Sequence, residues 1–171
     1  IRTFRFTQVT KESDLKSIVD LLPKYFGNKK RVSALFANAG VILPVPSITQ
    51  GNIKNWQVTF DVNVLGVFLT IKTFLPVMQK SKQQSIITTT ASTAGVMRGS
   101  KATNAYTSSK HAACVMTEEF ASGYVYINFY IFPSLYIYIY ISSLTHTHTS
   151  LYLYTRVIYT YIYIMHINMC T

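Results

Sequence analysis

The sequence predicts an α/β fold, because strand-like and helix-like segments alternate between residues 5 and 120. An apolar run near residues 32 to 37 and a β-branched run near residues 85 to 91 indicate buried strands, and a further strand is predicted near residues 3 to 9. Segments with helical periodicity or helix-compatible spacing separate and follow these strands. The length of 171 residues suits a single domain.

The first predicted helix follows the strand near residues 3 to 9. Thr10 is a suitable N-cap, and Glu12 and Asp14 favour a helix start. The apolar residues then follow the i, i+3, i+4, i+7 spacing of a buried helix face: Leu15, Ile18, Val19 and Leu22. Pro23 should kink or end the helix, and Gly27 should stop it.

The second strand ends in a small turn, Asn38-Ala39-Gly40, at the carboxyl end where open α/β sheets bind ligands. Taken alone, the tripeptide could be only a turn, because Asn and Gly tolerate positive φ. Asn63 then lies inside an otherwise apolar helix, and a buried amide needs hydrogen-bond partners. By itself Asn63 could equally be a satisfied core amide.

The strand near 85 to 91 delivers Ser92 to its carboxyl end, and the next helix carries Tyr106 and Lys110. Residues four apart on a helix point the same way, and an ammonium beside a phenol favours the phenolate form. Such a pair can transfer protons at neutral pH. Alone, a Tyr-x-x-x-Lys spacing more often marks a solvated helix face.

Together, the Asn-Ala-Gly turn, the helix asparagine, the serine after a strand and Tyr-x-x-x-Lys, in this order, resemble the short-chain dehydrogenase/reductase family. The resemblance covers about residues 5 to 120. It implies a Rossmann-like, doubly wound parallel sheet and hydride transfer between a nicotinamide cofactor, NAD or NADP, and an alcohol or carbonyl substrate. Hydride transfer belongs to the cofactor, and the protein supplies orientation and electrostatics.

The resemblance implies a role for each matching residue. Tyr106 would exchange the substrate hydroxyl proton and Ser92 would hydrogen-bond the substrate oxygen. Lys110 would bind the nicotinamide ribose, with Tyr106 beside it, and Asn63 would support a water relay. Four further residues would contact the adenosine side of the cofactor: Val9, Asn38, Ala39 and Gly40.

Two departures from the family pattern are visible within the matching segments. Ser92 precedes Tyr106 by fourteen residues, one more than is usual, which predicts an insertion in the loop through Gly99-Ser100-Lys101. Thr93 has the usual spacing, but Ser92 stands three residues before Gly95, as the motif requires. Gln8 replaces the acidic residue that contacts adenine, just before Val9.

The family's glycine-rich phosphate turn, G-x-x-x-G-x-G, does not occur in the 171 residues. We therefore expect an incomplete sheet that lacks its first two strands and its last strands. The strands near 32 to 37 and 85 to 91 would then form a two-stranded pair with exposed edges. The chain by itself is expected to be an inactive fragment of a homo-oligomeric enzyme.

The segment 123–171 differs from the predicted dehydrogenase domain, 1–122. Its 49 residues carry one charge, Arg156, and 11 of the 13 tyrosines. Alternating Tyr-Ile and Thr-His runs are what TATATA and ACACAC tracts encode, so we interpret the segment as a low-complexity tail of translated non-coding sequence. A hairpin or a membrane anchor at 124–141 remains open. The histidines His146, His148 and His166 lack acidic or cysteine neighbours, so no metal site is predicted.

The net charge of +10 comes from scattered lysines and arginines, which does not favour a nucleic-acid partner. Cys114 and Cys170 are too few for a disulfide framework, and no secretory signal opens the chain, so a cytoplasmic location is expected. The expected partner is a small alcohol or carbonyl substrate, and a membrane partner is not favoured. The alternative function is that of a non-enzymatic remnant, or of a membrane-associated protein anchored through the tail.

Overall fold

The computed structural model describes residues 8–27, 32–45, 47–97 and 103–124, followed by strand segments within the tail. The strands are β1 (Ala34–Ala37), β2 (Ser85–Ala91), β3 (Ile127–Pro133), β4 (Ile137–Tyr138), β5 (Tyr140–Ile141), β6 (Tyr152–Leu153) and β7 (Tyr163–Met165). The helices are α1 (Glu12–Phe26), α2 (Ile53–Phe60), α3 (Gly66–Gln79) and α4 (Asn104–Ala121).

The main sheet has the strand order β5-β3-β2-β1-β7. Its centre is parallel: β2 lies between β1 and β3, and all three run the same way. The connection from β1 to β2 contains α2 and α3, and the connection from β2 to β3 contains α4. This alternation confirms the predicted α/β fold with a parallel, Rossmann-like sheet.

The tail contributes to this sheet, which corrects one prediction. The sequence predicts that the family's last strands are missing and leaves only a hairpin at 124–141 open, yet β3 pairs in parallel with β2 over its whole length, from Ser85–Ile127 to Ala91–Pro133. The antiparallel strands β5 and β7 then cover the outer edges of β3 and β1. A two-stranded pair with open edges is therefore wrong for the part of the chain that the structure describes. Pairing between distant segments leaves no local signal, and a Tyr/Ile-rich composition suits any strand.

Two tail strands, β4 and β6, form a separate antiparallel pair. Most of the predicted strand near residues 3 to 9 lies outside the described residues, as do the predicted loop insertion at 99–101 and the three tail histidines. The domain boundary between 122 and 123 stays a prediction.

Helix α1 begins and ends close to the predicted positions, with two differences. Its N-cap is Lys11 rather than Thr10, because the chain first makes a turn in which the Lys11 N–H donates to the Gln8 carbonyl at 3.2 Å. Pro23 lies inside the helix and does not end it. Gly27 ends it as predicted, at a φ of 76° that favours glycine, with its N–H donating to the Pro23 carbonyl at 2.8 Å.

The predicted helix around Asn63 runs through α2, one wider π turn (Asp61–Leu65) and α3. These 27 residues, Ile53–Gln79, are long and apolar enough to cross a membrane by length and composition alone. A buried helix of a folded domain meets the same criterion. Here α3 contributes Phe74, Met78 and Ile71 to the core, each at most 2% exposed.

One hydrophobic core joins the helices to the sheet. Its buried members come from α1, β1, α3, β2 and the segment just before β1: Leu15, Ile18, Leu22, Val32, Leu35, Ala37, Val67, Leu69, Ile71, Phe74, Met78 and Ile87. An ion cluster also ties α1 to α3, because Glu12 contacts Lys16 at 3.0 Å and Lys72 at 3.2 Å. The core thereby holds the carboxyl ends of β1 and β2 in place, and the candidate residues follow these ends.

Candidate active site

The turn after β1 and the end of β2 meet at one edge of the sheet. The parallel ladder between the two strands ends at the pair Ala37–Thr89. One residue further on, the Thr90 hydroxyl donates to the Asn38 side-chain oxygen at 2.6 Å. Asn38 is thereby held in the turn Asn38-Ala39-Gly40, in which Ala39 is only 5% exposed.

Asn63 lies in the π turn and is fully buried. Its side-chain oxygen accepts the Val41 N–H at 2.8 Å, and its amide nitrogen donates to the Val41 carbonyl at 2.9 Å. The same nitrogen donates to the Ser109 hydroxyl at 3.0 Å. The side chain therefore fixes the backbone just after the Asn38-Ala39-Gly40 turn, and a role in a water relay stays a prediction.

Ser109 is a site residue that the sequence analysis missed. It is fully buried, accepts from Asn63 and donates its hydroxyl to the Tyr106 carbonyl at 2.8 Å. It links the π turn to the helix that carries the tyrosine. Its neighbour Ser108 is exposed, and no sequence pattern distinguishes the two serines.

Lys110 is 3% exposed, and its ammonium donates to the Thr90 carbonyl at 2.7 Å. Burial lowers the pKa of Lys110 to about 8, and the partly compensating influence of Cys114 raises it. The ammonium lies 5.7 Å from the centre of the Tyr106 ring, so the predicted pairing of the two residues on one helix face is confirmed.

Gly40 completes this group by leaving room for it. A Cβ at residue 40 would lie 3.2 Å from the Lys110 ammonium and 3.4 Å from the Asn63 side-chain oxygen. A Cβ would therefore crowd the ammonium and would just contact the Asn63 oxygen. The turn after β1, the π turn and α4 therefore converge on one small volume.

Ser92 immediately follows β2, as predicted, and is 2% exposed. Its backbone is extended, and its hydroxyl oxygen accepts the Ala94 N–H at 3.2 Å, at the start of a short 3₁₀ turn, Thr93–Gly95. A Cβ on Gly95 would lie 2.9 Å from the Cys114 sulfur and 3.0 Å from the Lys110 carbonyl, so this turn packs directly on α4. Contact of Ser92 with a substrate stays a prediction.

Val9, a predicted cofactor contact, packs at the start of α3. A Cβ at Gly66 would come within 2.7 Å of a Val9 methyl group, so the glycine permits this approach. The neighbouring Gln8 is exposed. The predicted contact of Val9 with the adenosine side of a cofactor stays a prediction.

The donors at this edge fit the ribose end of a nicotinamide cofactor. A lysine ammonium has three N–H donors, and among the described residues the Thr90 carbonyl takes one of them. The others can serve ribose hydroxyls. Within the described ranges, no three His, Cys, Asp or Glu side chains come together as ligands for a metal ion.

Comparison with known proteins agrees with this geometry. The family model for short chain dehydrogenases matches residues 2–131. The chain is 36% identical over 112 residues to xanthoxin dehydrogenase from Arabidopsis thaliana, covering 65% of this chain and 38% of that protein. It is 36% identical over 120 residues to (+)-borneol dehydrogenase 2 from Salvia officinalis, covering 70% and 41%. The chain thus spans about two fifths of the length of these relatives.

Solved structures show the same fold. A short-chain dehydrogenase/reductase from Burkholderia phymatum in complex with NAD superposes with a TM-score of 0.66 at 27% identity, covering 73% of this chain and 44% of that one. The aldohexose dehydrogenase of Thermoplasma acidophilum gives a TM-score of 0.63 at 27% identity, covering 70% and 45%. On the family match, which includes α1 to α4 and the parallel strands β1 and β2, the chain belongs to the short-chain dehydrogenase family.

Proposed function

We propose that the full-length protein is an NAD(P)-dependent oxidoreductase that interconverts a small alcohol and its carbonyl compound, with Tyr106 as the acid/base. One observation carries the proposal: the buried Lys110 ammonium lies 5.7 Å from the Tyr106 ring, at the carboxyl ends of two parallel strands. Open α/β sheets bind their ligands at this edge. The relatives, which are named as dehydrogenases of xanthoxin and of (+)-borneol, support the same class of chemistry.

Each residue has a distinct part in this proposal. In alcohol oxidation a bound NAD(P)⁺ would supply the acceptor for the hydride from the substrate carbon, and Tyr106 would take the proton from the substrate oxygen. Lys110 lies beside the Tyr106 ring and offers its remaining N–H groups to the nicotinamide ribose. Ser92 donates a hydrogen bond to the substrate oxygen, and reduction reverses these steps.

The rest of the group positions these residues. Asn63 and Ser109 hold the backbones of Val41 and Tyr106 at a fixed distance. The turn Asn38-Ala39-Gly40, with Val9, would contact the adenosine side of the cofactor. A cytoplasmic location and a homo-oligomeric state complete the proposal.

Tyr106→Phe tests the proposal directly. It removes the hydroxyl that exchanges the proton, and acid–base catalysis commonly contributes ~10²–10⁴-fold, so turnover should fall by about that factor. Oxidation and reduction of a panel of alcohols and carbonyl compounds by the full-length protein, with NAD(H) and NADP(H), provide the rates. Tyr124→Phe is the matched control, because it makes the same change three residues after α4 ends, where the ring packs against the hydrophobic core, and should leave the rates unchanged. Near-wild-type turnover of Tyr106→Phe would overturn the assignment.

A further inference from the structure

Thr90 makes two hydrogen bonds that join the halves of the candidate active site. Its hydroxyl donates to the Asn38 side chain at 2.6 Å, and its carbonyl accepts from the Lys110 ammonium at 2.7 Å. Asn38 belongs to the turn after β1, and Lys110 to α4. A single strand residue is therefore bonded both to the turn predicted to lie against the cofactor and to the lysine beside the tyrosine.

The position of Thr90 at the end of the β1–β2 ladder explains this arrangement. The ladder ends at the pair Ala37–Thr89, and β1 ends at Ala37. Beyond that pair, the side-chain bond from Thr90 to Asn38 continues the contact between the two chains where their backbones separate. On its other side Thr90 is still paired with Phe132 of β3, so the bond to Asn38 fixes the side of β2 that faces β1.

The adjacent threonine shows that the bond is specific to residue 90. Thr89 is fully buried, and its hydroxyl has no hydrogen-bond partner in the described part of the chain. Consecutive strand residues point to opposite faces of a sheet, so the two hydroxyls meet different surroundings. Of these two threonines, it is Thr90 whose hydroxyl reaches the turn after β1.

We propose that Thr90 is a positioning residue that sets the distance between Lys110 and the Asn38-Ala39-Gly40 turn. Its hydroxyl anchors the end of β2 to Asn38, and this anchor fixes the peptide carbonyl that holds the ammonium. The available space is narrow, because a Cβ at Gly40 would already lie 3.2 Å from that ammonium. This role rests on the proposed function, in which Lys110 serves the cofactor and Tyr106.

Thr90→Val in the full-length protein removes the hydroxyl while it keeps the branched shape and the main-chain carbonyl. Thr90→Ser keeps the hydroxyl and is the rescue variant. Thr89→Val is the matched control, because it makes the same change one residue away and breaks no hydrogen bond within the described residues. Circular dichroism and thermal unfolding establish that all three variants fold.

The first measurement is independent of activity. Acetic anhydride labels lysines, and mass spectrometry gives the rate at Lys110 relative to the exposed Lys54 in the same molecule. Thr90→Val should raise the relative rate at Lys110 roughly three- to tenfold, the size expected for one lost hydrogen bond. Thr90→Ser and Thr89→Val should resemble the wild type. Equal rates in all four proteins would overturn the proposal.

The second measurement separates cofactor binding from chemistry. In the active enzyme, Thr90→Val should raise the KM for the nicotinamide cofactor roughly three- to tenfold and change kcat less, because the lysine and the turn both face the cofactor. An unchanged KM, or a Thr90→Ser variant as impaired as Thr90→Val, would overturn the positioning role. If the wild type neither binds cofactor nor turns over any substrate, the proposed function fails, and the labelling rates still decide whether Thr90 holds Lys110.

Discussion

Asn63, in the π turn, uses its amide in three hydrogen bonds to the protein, whereas Ser92, after β2, accepts one bond of 3.2 Å from its own turn. Both side chains are buried, at 0% and 2% exposure. The Asn63 amide is committed to the backbone of Val41 and to Ser109. Among the described contacts the Ser92 hydroxyl accepts a hydrogen bond but donates none, so its proton is available to an acceptor such as a substrate oxygen. Two similarly buried polar side chains therefore serve different purposes. Asn63 positions the neighbouring backbone, whereas Ser92 keeps a hydroxyl that can bind another group.

The Ser92→Ala variant probes the available side chain. Loss of one hydrogen bond to the reacting oxygen commonly costs ~10²–10³-fold in turnover, and we expect a loss of that size in kcat. Stability should fall by only about 1 kcal/mol or less, because the hydroxyl caps just a short turn. Steady-state kinetics and thermal unfolding of the full-length protein measure both effects. Ser108→Ala, on the exposed face of α4, is the control and should change neither.

A large stability loss in Ser92→Ala, without a loss of turnover, would place Ser92 in the same structural class as Asn63. The comparison between the two residues would then fail. It would also reopen Thr93, which has the usual family spacing, as the residue that contacts the substrate oxygen.

The Asn63→Ala variant probes the committed side chain. It leaves the Val41 peptide groups and the Ser109 hydroxyl without their partner, so the free energy of unfolding should fall by about 3 kcal/mol. Chemical denaturation measures the loss. Asn52→Ala is the control, since it removes an exposed N-cap and should cost about 1 kcal/mol. If Asn63→Ala keeps wild-type stability but loses turnover, the amide takes part in the chemistry.

Lys110, whose ammonium donates to the carbonyl of Thr90 two residues before Ser92, gives the smallest effect, which depends on pH. Its pKa is lowered to about 8 by burial, so between about pH 8 and 10.5 the unfolded chain holds a proton that the native chain releases. Stability contributed by this group therefore rises with pH through that window. Relative to Lys110→Met, the wild type should gain roughly 2 kcal/mol of unfolding free energy between pH 8 and 10.

Denaturation of both proteins at several pH values provides this difference. Cys114, whose pKa is raised by burial, contributes with the opposite sign but is present in both proteins. Lys54→Met, which changes an exposed lysine, should show no such trend. A difference that stays flat from pH 8 to 10 would mean that the Lys110 ammonium is solvated, which contradicts its 3% exposure.

Much of the fold was predictable because its signals are local. The strand at 85–91 was predicted with its observed bounds, and the pairing of Tyr106 with Lys110 followed from helical spacing. The start of α1 was misplaced by one residue, because the turn formed by Gln8 and Lys11 competes with the Thr10 cap. The strand β3 was missed because its partner, β2, lies some 40 residues earlier in the chain.

Sequence by itself determined the family-like order of turn, helix asparagine, strand serine and tyrosine–lysine pair, since each motif depends on residues close together in the chain. Only the tertiary structure decided which polar groups the protein itself satisfies. Ser109 and Ser108 have the same side chain, as do Thr89 and Thr90, yet one member of each pair bonds across the site. That choice depends on which face of a helix or strand meets a distant segment, and hydrogen bonds between residues 20 to 52 positions apart have no periodicity to reveal them.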